Sequence, residues 1–236
     1  MTAATPLIHL RGIVKNYQAL RPLRIAEFSA GRQDRLVLSG FDAMAAEMFV
    51  YLVTGAALPD EGEVVIAGGN TREIATDTEW LASLDRFGIV THRAILLEAS
   101  TVAANMALPI TVAIDPMTPE TRARVEADAA DVGLPREKLD GPAHALSPAE
   151  RLRLHLARSI SSGPELLMLE HPTAMLNDAK ESIAFGETLK ALAAARNFGF
   201  IAVSEDNEFA KASAGKRLKL NAKSGRLGAP GFFGLG

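Results

Sequence analysis

Two four-residue runs, Leu166-Leu167-Met168-Leu169 and Phe200-Ile201-Ala202-Val203, are apolar at every position. Successive residues of a strand point to opposite faces, so such a run is stable only in a sheet covered on both sides. Residues 35–40 form a third strand of this kind, with Leu36-Val37-Leu38 at its centre and Gly40 at its end. Helical patterns lie between these runs. Residues 44–54 are apolar enough for a buried helix and close at Gly55. Residues 119–132 read as a helix with Thr118 as N-cap, Pro119 in the first turn and Gly133 at the stop. Residues 147–159 and the amphipathic 179–195 are two more. Shorter strands are expected at 7–10 with a second piece at 13–14, and at 23–27, 63–67 and 87–90. An edge strand is expected at 216–220, and the Gly-rich tail after Gly225 should be loose. Strands alternating with helices, several of them buried on both faces, predict a mostly parallel α/β sheet.

Composition removes several function classes. Lys and Arg number 25 against 28 Asp and Glu, a net charge of −3, and the basic residues do not cluster enough to make a local nucleic-acid footprint. The chain has 0 Cys, which excludes a disulfide scaffold, a thiolate metal site and a cysteine nucleophile and fits a reducing compartment. No stretch approaches the ~18 consecutive apolar residues of a membrane span. The opening Met1-Thr2-Ala3-Ala4-Thr5-Pro6 lacks the basic and apolar regions of a secretory leader. A soluble, intracellular, compact protein is the expectation.

Further landmarks come in a fixed order. The strand ending at Gly40 leads to the helix closed by Gly55, and Pro59-Asp60-Glu61-Gly62-Glu63-Val64 turns into a strand. Thr101-Val102-Ala103-Ala104-Asn105-Met106-Ala107-Leu108-Pro109 follows. Next come Leu146-Ser147-Pro148-Ala149-Glu150 with Arg153 and Ala157-Arg158-Ser159, then residues 166–173, then Ala202-Val203-Ser204-Glu205-Asp206. In this order the chain resembles the ATP-binding subunits of ATP-binding cassette (ABC) transporters, from about residue 7 to residue 226. The pieces are similar to the family's phosphate loop (Walker A, G-x-x-G-x-G-K-[ST]-[ST]), the run after its Q-loop, its L-S-G-G signature, its Walker B strand and its switch-histidine strand. The resemblance implies an ABC-type nucleotide-binding domain over residues 1–230. It would have a RecA-like α/β core, an antiparallel β piece near the N-terminus and a helical subdomain around 93–160, with 231–236 as a Gly-rich tail.

On those motifs, the residues that carry the family's chemistry are replaced. The later loop glycines are Ala43 and Ala45, the Lys is Ala46, and the Mg²⁺-binding hydroxyl position is Glu47. A carboxylate at a helix start competes for the positive end of the dipole that would hold phosphate. The Q-loop Gln falls on His92, the Mg²⁺-associated Asp on Glu170, the catalytic Glu on His171, the D-loop Asp on Asn177 and the switch His on Glu205. No catalytic residue and no metal ligand is expected among them. In the signature loop Pro148 has no N–H and Ala149 adds a Cβ where the family has glycines. Ser147-Pro148-Ala149-Glu150 spells a capping box instead, with Ser at N-cap and Glu at N3. Three nucleotide-contact candidates survive by resemblance: Tyr17, where the family stacks an aromatic on adenine, Gly40 and Ser147.

These replacements imply a catalytically inactive subunit, peripheral to the cytoplasmic side of the inner membrane and docked on a permease. No cofactor is expected for the chain alone; ATP and Mg²⁺ enter only through the resemblance, or shared with a partner subunit. A homodimer would contain two dead sites, which points to an active ABC ATPase paralogue as partner. The single-domain length and the 101–109 run are most similar to the lipoprotein-release and lipid-trafficking branches. One alternative is a stand-alone interaction or assembly module with the ABC fold. Another is an ATPase in which Glu47 and His171 organise Mg²⁺ and water. The apolar residues between 92 and 109 are expected mostly to fill the helical subdomain, leaving part of 93–99, with Ile95 or Leu96, exposed to a membrane subunit.

Overall fold

The computed structural model of the chain describes residues 6–230. Strands β1 (Ile8–Lys15), β2 (Leu23–Ala30) and β3 (Arg35–Ser39) lead into helix α1 (Ala43–Val53). Then come β4 (Glu61–Ile66), the short β5 (Gly69–Asn70), α2 (Asp77–Leu84) and β6 (Phe87–Thr91). Three helices follow: α3 (Val102–Ala107), α4 (Pro119–Asp131) and α5 (Pro148–Ser161). The remainder is β7 (Leu166–Glu170), α6 (Ala179–Ala195), β8 (Gly199–Val203), α7 (Asn207–Ala212), β9 (Lys216–Asn221) and β10 (Arg226–Gly228).

A six-stranded sheet has the order β10-β9-β3-β8-β7-β6. Its strands β9, β3, β8, β7 and β6 are parallel, and β10 is antiparallel to β9. A second sheet, β2-β1-β4-β5, is antiparallel throughout. The all-apolar runs sit at the centre of the first sheet. Leu167, Leu169, Phe200 and Ala202 face a core shared with α3 to α7. Their neighbours Leu166, Met168, Ile201 and Val203 face the opposite core, shared with α1 and the antiparallel sheet. Each of these side chains larger than Ala202, fully buried, contributes about 1.5–3 kcal/mol. On the second core, Phe49 of α1 meets Phe28 edge-on at 5.6 Å and Phe41 at 5.5 Å.

Several boundaries differ from the sequence expectation. Residues 8–15 are one strand, because the break in its pattern is a bulge between Arg11 and Val14. Residues 216–221 are not an edge strand: Arg226–Gly228 pairs outside them, so that part of the supposed loose tail is ordered in the sheet. The rest of that tail, residues 231–236, lies outside the described residues. Lys216, Arg217, Lys219, Lys223 and Arg226 all fall on this β9–β10 hairpin. Helices α2, α3 and α7 were not expected. Each begins at a cap, Thr76, Thr101 and Asp206, whose side chain accepts a first-turn N–H.

The contact between β6 and α5 fixes the helical part against the sheet. Ser159 Oγ donates to the Ile89 carbonyl at 2.6 Å. A Cβ added at Gly88 would lie 2.4 Å from the Ser159 carbonyl oxygen and 2.5 Å from Leu167 Cδ2. Gly88→Ala should therefore cost about 1–3 kcal/mol through overpacking. Thermal denaturation measures this as a lowered Tm; an unchanged Tm would show that the two elements separate without penalty.

Candidate functional site

Because β3, β6, β7 and β8 are parallel, the residues that follow them leave from one end of the sheet, the usual place for a ligand crevice. Gly40 follows β3, His92 and Arg93 follow β6, Glu170 and His171 lie at the end of β7, and Glu205 follows β8.

Gly40 has φ +86°, and a Cβ there would fall 2.5 Å from the Leu220 carbonyl oxygen, so only glycine fits. Its N–H donates to Glu205 Oε1 at 2.5 Å. Asp42 caps α1, its Oδ1 accepting from the Ala45 N–H at 2.8 Å. Glu47, expected at the helix start, instead lies in the second turn; the carboxylate at the positive end of the α1 dipole is that of Asp42. Ala46 is 0% exposed and packs in the core.

Glu47 and Glu170 meet on one guanidinium. Arg93 pairs with Glu47 through one arm and with Glu170 through the other. Arg93 also donates to the Tyr51 hydroxyl oxygen at 3.1 Å, and that hydroxyl donates to Glu47 at 2.6 Å. The guanidinium carbon is 5.5 Å from the Tyr51 ring centroid, within cation–π range. The Glu170 side chain is 2% exposed, and a carboxylate so buried needs such a partner.

His171 has φ +41°, a conformation uncommon for a non-glycine residue, and its backbone N–H donates to the Val203 carbonyl at 2.8 Å. Its Nε2 is buried and has no hydrogen-bond partner among the described residues. Ser147 caps its own helix. Its N–H donates to Glu150 Oε2 at 2.8 Å, and the Glu150 N–H donates to Ser147 Oγ at 3.3 Å. The Ser147 N–H, helped by Lys138, holds the Glu150 carboxyl below the usual range. Tyr17 lines a cavity of about 420 Å³ with Arg24, Gly40, Asp42 and Leu220. Burial first, and the Asp42 charge second, push its phenol up, so it stays neutral. Between Arg93 and Glu98, Ile95 is 82% exposed and Leu97 42% exposed. Leu96, expected to be an alternative exposed position, is 6% exposed, because it turns into the core cluster beneath α3 to α5.

Three members of the site escape a reading of the sequence: Asp42, Tyr51 and Arg93. Asp42 carries an N-cap signature, and Tyr51 lies four residues after Glu47 on the same helix face. Arg93 has no local signal, since its acidic partners are 46 and 77 residues away in the chain.

Residues 48–174, more than half of the chain, match the sequence profile of ABC transporters. The chain belongs to the ABC transporter family. It is 28% identical over 215 residues to the lipoprotein-releasing system ATP-binding protein LolD of Alcanivorax borkumensis, covering 89% of this chain and 92% of that protein. It is 29% identical over 189 residues to an uncharacterized ABC transporter ATP-binding protein, y4mK, of Sinorhizobium fredii, covering 78% of this chain. It is 23% identical over 224 residues to the Fe(3+) ions import ATP-binding protein FbpC of Serratia marcescens, covering 94%. The chain spans only 37% and 63% of the lengths of these last two ABC proteins. The dimeric post-hydrolysis structure of the ATP-binding cassette MJ0796 bound to ADP and Pi superposes with a TM-score of 0.74 at 20% identity, covering 93% of this chain and 96% of that one. The fold is therefore the mixed α/β ABC ATPase fold, with its antiparallel sheet and helical elements, as the resemblance implies. The matched ABC segment begins one residue after Glu47, so residues 40–47 fall outside it. Among the described residues no helix is long and apolar enough to cross a membrane.

Beside this site, His92 and His155 line a cavity of about 220 Å³ with Leu152, Pro172 and Met175. Burial, then the nearby Arg158 and Arg151, push the His155 imidazole down to about 4. The folded state thus prefers neutral His155, and the stability tied to it is complete above the ordinary pKa of 6.5 and lost as pH falls toward 4. His155→Leu should remove about 3 kcal/mol of the stability difference between pH 7 and pH 4. Denaturant titrations of both proteins at the two pH values measure it; parallel losses would mean that His155 is not buried neutral.

Proposed function

We propose that this chain is an ABC subunit without nucleotide chemistry, which serves as a structural partner of a membrane permease beside an active paralogue. One observation carries the reading: the positions that would meet phosphate and metal are bonded to the chain's own side chains. Glu205 and Asp42 hold the Gly40 and Ala45 amides, and Arg93 neutralises Glu47 and Glu170. The Mg²⁺ and ATP implied by the family do not fit these residues. Each carboxylate left ~4 Å from a phosphate charge would cost about 4 kcal/mol at an effective dielectric near 20. Ala46 offers no countercharge. Ser147 is spent on its own helix, and stacking on Tyr17 would supply only about 1–3 kcal/mol. The alternative of an ATPase with substituted residues requires Arg93 to leave both acids, uncovering a buried charge.

Docking on the permease would use the exposed Ile95 and Leu97, on the cytoplasmic face of the inner membrane. The similarity to LolD over nearly the full length of both chains supports lipid or lipoprotein transport as the process served.

Ile95→Glu should leave the fold intact, since the side chain is exposed. It should lower the membrane-bound fraction of the protein in its own cells by roughly tenfold, the loss expected on removing one ~1.5 kcal/mol apolar anchor. Cell fractionation alongside circular dichroism reads both effects. Unchanged membrane association would contradict permease docking and favour a stand-alone interaction module.

A further inference from the structure

Arg93 touches three separate parts of the fold at once. Its guanidinium joins Glu47 and Tyr51 of α1 to Glu170 at the end of β7, while its backbone begins the segment that leaves β6. That segment is held on its other side too. Arg158 donates to the Ile95 carbonyl at 2.7 Å. The fully buried Asn105 accepts from the Leu97 N–H at 2.8 Å and donates to the Leu97 carbonyl at 3.0 Å. Arg151 makes a two-point contact with Glu98 at 2.5 and 3.1 Å. Residues 93–98 are thus tied at both ends and the middle, yet present an 82% exposed Ile95.

The arrangement at Arg93 has the chemistry of a metal site in which an arginine stands as the cation. Two carboxylates and a phenol, from α1 and the end of β7, converge on one positive charge. A guanidinium offers directed N–H donors to two acids at once, as a bound divalent ion would offer coordination sites. Unlike an ion, it is covalently part of the segment it anchors.

We propose that Arg93 is the resident cation of this site, a positioning residue that holds residues 93–98 in one conformation with no nucleotide or metal present. Ile95 is then displayed permanently rather than on nucleotide binding. This inference rests on the docking role given above to Ile95, but its test needs no permease, so the two fail separately.

Hydrogen exchange of the purified full chain, read on peptides covering 92–99, is the first arm. In the wild type the protection of Leu97 should be unchanged by millimolar Mg-ATP. In Arg93→Ala, exchange across 93–97 should rise roughly tenfold while α4 keeps its protection. Mn²⁺ binding followed by electron paramagnetic resonance is the second arm, and it reads a property that packing alone would not alter. Arg93→Ala frees Glu47 and Glu170 and should bind Mn²⁺ at least roughly tenfold more tightly than the wild type. Adding Glu47→Gln should abolish the gain. If the orphaned Glu170 prevents Arg93→Ala from folding, Arg93→Ala with Glu170→Gln removes that buried charge, and the exchange arm is read on the double variant. Unchanged exchange across 93–97 in the folded variant, or equal Mn²⁺ affinity in wild type and Arg93→Ala, would overturn the proposal.

Discussion

Burial of a parallel sheet on both faces is the constraint from which the rest follows. Residues 166–169 and 200–203 send alternate side chains into two separate cores, so a polar residue within either run would be buried away from water. Polar chemistry is confined to the strand ends, and parallel direction places those ends together. The same constraint that stabilises the molecule therefore concentrates Gly40, His92, Arg93, Glu170, His171 and Glu205 at one end of the sheet. Charge collected there, at the rim of a dry core, must be neutralised locally.

The chain does so with its own groups. Glu205 reaches the Gly40 amide, Asp42 caps α1, and Arg93 bridges Glu47 and Glu170. On our proposed reading three family positions are replaced, an acid for a hydroxyl at Glu47, an alanine for a lysine at Ala46 and a longer acid at Glu170, and each looks disruptive in isolation. In the fold Arg93 satisfies Glu47 and Glu170 together, and Ala46 packs in the core. The start of α5 follows the same logic, with Ser147 and Glu150 closing on each other. On our proposed reading, groups that would otherwise recruit a ligand stabilise the fold instead, and the ABC scaffold is kept for its surface.

The elements legible in the sequence are those whose cause is local. The two all-apolar strands, the caps at Thr118 and Ser147 and helix 179–195 all follow from neighbours in the chain. The short helices α2, α3 and α7 carry caps but too few turns to display a periodicity, which is why they escape pattern reading. Strand β10 is three residues long and exists because β9 offers it an edge. At the site, the order of the motifs singled out Ala46, Glu47, Glu170 and Glu205, but not the partners these residues take in the fold. Arg93 answers to Glu47 and Glu170 only after the sheet has brought α1, β6 and β7 side by side, a tertiary fact with no local trace.

The central claim is that the places for phosphate and metal are filled by the protein itself. Isothermal calorimetry of the purified chain with Mg-ATP tests it most directly. The account predicts no saturable heat up to millimolar nucleotide, an affinity weaker than about −4 kcal/mol. A saturable isotherm with micromolar affinity would contradict it, because Glu205, Asp42 and Arg93 would then have to yield their partners to the nucleotide at little cost.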